Sequence, residues 1–134
     1  MALKRQKGSI LVEFAVSCLL LVVFFFGMVE VWSMVRDKVY LQRIVRDATR
    51  EAAVTGDVSS GYGVAQDRAR QYFGQAANRC IVILETDEQP GSHLVIGEGK
   101  FGHRPFGSIS EKLWGKEVTL RARAVFGWYD FRHK

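Results

Sequence analysis

Residues 9–35 read SILVEFAVSCLLLVVFFFGMVEVWSMV, an apolar run in which Glu13 and Glu30 are the only charges. A helix rises 1.5 Å per residue, so about 20 apolar residues cross a hydrocarbon core of roughly 30 Å. The run therefore predicts a membrane-spanning helix. A cleaved secretory signal has an apolar core of about 7–15 residues with a small-residue cleavage site behind it. This run is longer, and no such site follows.

Beyond the run, no proline or glycine interrupts the chain before Gly56, and Val31, Val35, Val39, Ile44, Val45, Ala48 and Ala52 recur at helical spacing. The membrane helix is expected to continue into water with one apolar face. Residues 56–63, GDVSSGYG, carry the turn formers of a connection. Residues 64–79 then set Val64, Ala65, Ala69, Tyr72, Phe73, Ala76 and Ala77 on one side of a second helix, with Gly74 tolerated inside it at about 1 kcal/mol.

The pattern then changes period. Residues 80–85, CIVILE, form a strand-like apolar run; Pro90 and Gly91 mark a turn; residues 93–96, HLVI, form a second short strand. Residues 97–107, with their many glycines, are expected to be an irregular loop. Over residues 117–129, Val118, Leu120, Ala122, Ala124 and Phe126 alternate with Thr119, Arg121, Arg123 and Val125, as in a half-buried strand. The predicted fold is α+β: a long N-terminal transmembrane helix extending into a small soluble domain with a second helix and a short antiparallel sheet. The expected organisation is a leader over 1–8, a span over 9–35, a helical extension over 36–55 and a soluble domain over 56–134.

Composition narrows the function classes. The 134 residues carry a formal charge of +5, but Lys4, Arg5 and Lys7 lie ahead of the apolar run. Without them, 16 basic residues face 14 acidic ones, a weak basis for a nucleic-acid partner, and none is expected. Cys18 lies in the apolar run and Cys80 far outside it, too far apart for a bond that needs Cα atoms within about 7 Å. Both are read as free.

The two acids of the run differ in depth. An ionised carboxylate in lipid costs about 2.5 kcal/mol or more and is normally kept for a partner or a function. Glu13 fits that description, although so near the start of the run it could also reach the headgroups. Glu30 lies 17 residues further on, roughly 25 Å along a helix, where a solvated, interfacial carboxylate is the favoured reading. Flanking charge does not orient the span, since Arg36, Lys38, Arg43 and Arg46 follow it as Lys4, Arg5 and Lys7 precede it.

Residues 4–15, KRQKGSILVEFA, combine basic residues, a glycine and a glutamate five positions after it. This stretch resembles the leader of type IV prepilins, and specifically the TadE-like family of tight-adherence pilus systems. Residues 26–30, FGMVE, are similar to that family's FG-x-x-E. The resemblance implies cleavage between Gly8 and Ser9 by a prepilin peptidase, and assembly contacts at Glu13 and Phe14. The carboxylate would meet the freed amino group of a neighbouring subunit. It also implies the bacterial inner membrane as location, a C-terminal domain outside the cytoplasm, and other pilin or pseudopilin subunits as partners. The family usually has a proline shortly after the Glu-Phe-Ala run. Here that neighbourhood is Val16, Ser17, Cys18 and Leu19, so no proline kink is expected.

A pilin subunit of the minor or pseudopilin kind is thus the leading reading, and an uncleaved, signal-anchored accessory or binding protein is the alternative. No enzyme is expected, and no cofactor or metal. Gly97, Gly99 and Gly102 match the spacing of a dinucleotide fingerprint, but Pro105 and Gly107 stand where its helix would follow. His93, His103 and His133 lack metal-ligand spacing and are read as solvated or loop residues. Ser92, Ser108 and Ser110 have no nucleophile context. Trp114, Trp128, Tyr129 and Phe131, with Arg132, His133 and Lys134, are read as core aromatics and a solvated tail, or else as a contact surface for a subunit or membrane.

Overall fold

The computed structural model describes residues 2–89, 92–107, 111, 112 and 115–129. The elements run α1 (Ala2–Thr55), α2 (Val58–Phe73), a 3₁₀ turn (Gly74–Arg79), β1 (Cys80–Gln89), β2 (Ser92–His103) and β3 (Val118–Tyr129). The chain divides into two compact units, Met1–Ser33 and Met34–Lys134. The predicted turn at Pro90 and Gly91 lies outside the described residues, as do Ser108, Ser110, Trp114, Phe131, Arg132, His133 and Lys134.

In the first unit, α1 is apolar enough to cross a membrane, and none of its most apolar 18-residue window is buried within the chain. A core helix of a soluble domain would bury such residues; here Phe14 is 68% and Phe24 74% exposed. Lipid is the solvent that accepts a surface of this kind.

The second unit is a three-stranded antiparallel sheet in the order β1-β2-β3, covered by helices on one face. Its share of α1 buries Leu41, Ile44, Val45, Ala48, Thr49 and Ala52. The predicted apolar face is therefore present from Ile44 onward, with Leu41 added, whereas Val35 and Val39 stay exposed. Residues 36–55 belong to the same compact unit as the sheet. Tyr40 stacks on Tyr72 at 4.8 Å, and Phe73 on Phe101 at 3.9 Å, tying α1, α2 and β2 together through rings.

Local chemistry moves three boundaries from their predicted places. Gly56, at φ 67°, follows the last residue of α1, and Asp57 caps α2 by accepting from Ser59 N–H at 2.9 Å. The expected connection over 56–63 thus shrinks to two residues, and Ser59, Ser60, Gly61 and Gly63 are helical. Gly74 ends α2 at φ 54° and donates its N–H to Arg70 C=O; it breaks the helix instead of being carried inside it. The expected glycine-rich loop begins as strand: Gly97, Gly99 and Gly102 lie within β2.

Alternate β2 residues explain the last change. Val95, Gly97, Gly99, Phe101 and His103 are all buried. A Cβ on Gly97 would overlap Thr49 Oγ1, and one on Gly99 would overlap Val45 Cγ2. The glycines let the helix lie directly on the strand backbone. In β3 the alternation is as expected: residues 118, 120, 122, 124 and 126 are half-buried, and 119, 121, 123 and 125 exposed.

Candidate assembly site

Gly8 and Ser9 are exposed and lie within α1. A cut between them requires the helix to open locally. Glycine, about 1 kcal/mol worse than alanine in a helix, marks a turn where that opening is cheapest. Glu13 and Phe14 follow, also exposed. Among the described residues Glu13 has no ion-pair partner, and its carboxylate stands in an otherwise apolar surface.

Glu30 departs from its expected environment. It is only 5% exposed, so a solvated carboxylate does not describe it.

His103 is likewise neither solvated nor in a loop. It closes β2 at 3% exposure, and its Nδ1 donates to Asp37 Oδ2 at 2.7 Å. Asp37 also accepts from Arg36 at 3.3 Å. A buried carboxylate held by charge-assisted bonds is costly to strip of a partner. This clasp joins residues 66 positions apart, and sequence reasoning missed it. The available signal was parity: carried through Gly97 and Gly99, the alternation puts residue 103 on the same inward face as Val95 and Phe101. His93, by contrast, is exposed. Close by, Arg79 donates to Gly102 C=O at 3.1 Å and lies over the Phe101 ring at 5.6 Å.

The glycine spacing that mimics a phosphate fingerprint serves packing. Residues 97, 99 and 102 sit inside a strand paired on both sides, and not on the strand-to-helix turn that a phosphate fingerprint needs. An open groove of about 590 Å³ lies between α2, the 3₁₀ turn and β1, lined by Tyr62, Ala65, Ala69, Cys80 and Val82. Burial pushes the Cys80 thiol up to about 11.

The described residues thus hold one exposed helix long and apolar enough to cross a membrane, with the carboxylate of Glu13 on its surface, followed by a small α+β unit. Residues 8–53 match the family model described as TadE-like protein, bearing out over that stretch the resemblance read from residues 4–15 and 26–30. The match begins at Gly8 and stops before α2. No curated protein and no solved structure matches the chain.

Proposed function

We propose that this chain is a minor pilin or pseudopilin, cut after Gly8 by a prepilin peptidase and contributing to pilus assembly and adherence. The family match over residues 8–53 carries the reading, because it takes in Gly8, Ser9, Glu13, Phe14 and Glu30 together. Before assembly the protein sits in the bacterial inner membrane with its C-terminal unit outside the cytoplasm. The basic residues Lys4, Arg5 and Lys7 hold the scissile bond at the cytoplasmic face. After the cut, Ser9 supplies a new ammonium group. An ammonium from one subunit and Glu13 from the next relieve each other's desolvation in lipid, which gives register as well as attraction. The soluble unit favours priming or capping a filament over forming its bulk. The role is assembly, without catalysis or a cofactor.

Intact-mass measurement of the protein from membranes that hold the peptidase tests this. The expected product begins at Ser9, and Gly8→Ala leaves the full-length chain. An intact Met1 beside an active peptidase refutes the reading.

A further inference from the structure

β1 and β3 are the two edges of the sheet, and their charges are opposite. β1 (CIVILETDEQ) holds three acidic residues and no basic one, and β3 (VTLRARAVFGWY) holds two arginines and no acid. Beside β3 lies an open groove of about 460 Å³, lined by Val39, Arg43, Arg46, Arg123, Val125 and Phe126. Arg123 meets Glu98 of its own sheet at 3.8 Å. Arg43 and Arg46 are exposed, and neither has an acidic partner among the described residues.

Among the described residues, the backbone of both edges is open where the charges lie. Leu84 N–H donates to Tyr62 OH at 3.1 Å, so even-numbered amides of β1 point away from β2. Tyr62 covers that edge at Leu84 and leaves Thr86, between the exposed Glu85 and Asp87, facing outward. Through the register Leu84↔Gly97↔Ala124, the amides of Arg123 and Val125 point outward from β3 by the same alternation. Both edges are antiparallel to β2, so they run in the same direction and can pair in parallel.

The geometry points to a head-to-tail contact between copies of this chain, in which the acidic half of β1 on one copy docks at the basic groove beside β3 on the next. Like edges repel: β1 against β1 sets acids on acids, and β3 against β3 sets arginines on arginines. Only the heterologous pairing matches charge, and such a contact leaves one edge free at each end, so it forms open rows instead of closed rings, and a short row of copies suffices to prime or cap a filament. It rests on the pilin reading only for the membrane that gathers the copies together.

A photo-crosslinking amino acid at Thr86 of the full-length chain, in cell membranes, tests the contact. A mixture of isotopically light and heavy protein separates adducts between copies from those within one. The expected result is a ladder of oligomers, with adducts on residues 43–46 or 123–126 of another copy. Arg43→Glu with Arg46→Glu lowers the yield about tenfold, and Glu85→Lys with Asp87→Lys does the same. All four changes in one chain restore it to within about twofold. Should a reversed variant misfold, as limited proteolysis would reveal, the unaltered chain still decides. Its adducts must fall steeply at about 0.5 M salt, where charges are screened beyond roughly 4 Å. Adducts to lipid, to another protein or to residue 86 of a second copy overturn the proposal, as does a fourfold variant that stays unlinked. Processing is read separately by mass: a chain cut at Gly8 that forms no adducts defeats the docking alone, and an uncut chain with the expected adducts defeats the pilin reading alone.

Discussion

Cys80 opens β1 at the wall of the groove beside α2, where burial holds its thiol at about 11 against an ordinary 9.0. The thiolate is the reactive form, so alkylation of folded protein at pH 8 should be slow. The rate should climb about tenfold per pH unit up to the thiol's own value. Mass-resolved labelling with iodoacetamide checks this, and a fast reaction at pH 8 would contradict it. The sign for stability follows: a thiol raised on folding favours the native state below about pH 9. That contribution is lost as pH rises towards about 11. The exposed apolar helix surface around Glu13 was legible because a long run with so little charge is conspicuous. His103 and Asp37 were not, since their meaning lies in a bond across 66 positions. Glu30 misled for a related reason: counting residues along a helix gives depth, but not what else covers a side chain.

Among the elements, β2 is the one whose sequence reads least like its structure. Glycines usually mark loops, and three in six residues pointed away from strand. What decides the matter is the partner: Thr49 and Val45 of α1 occupy the space where side chains at 97 and 99 would be. Gly97→Val and Gly99→Val should therefore each destabilise the second unit by about 1–3 kcal/mol through overpacking. Gly63→Ala serves as a control, because nothing lies within 4 Å of a Cβ there. Limited proteolysis of the full chain in detergent, read as midpoint denaturant concentration, would detect the shift; equal behaviour at 97 and 63 would refute the packing role. The third strand needed no such correction, because its inward and outward residues alternate without glycine until Gly127. The extent of α2 was hidden in the same way as β2: Ser59, Ser60 and Gly61 resemble a turn until Asp57 caps them. Gly61 is admitted because a Cβ would come within 2.8 Å of Ala48 C=O.

For the molecule as a whole, the α+β class and the three-stranded antiparallel sheet were legible from periodicity alone. The family similarity ends at residue 53, so α2 and the sheet rest on their own physical reading. Replacing Glu13 by alanine separates the roles of membrane segment and assembly contact. Insertion and cleavage should be retained, because the span becomes more apolar, while incorporation with partner subunits should fall. Membrane fractionation and pilus yield measure the two; normal filaments in that variant would remove Glu13 from the contact. The burial of Ile44, Val45 and Ala48 also sets an order of events during synthesis. Their cover on β2 is made some fifty residues later, several seconds at about 5–20 residues per second. Through that interval the helix is already complete but its inner face has no sheet to meet. The nascent chain therefore passes through a stage in which that apolar face is open to chaperones or neighbouring helices.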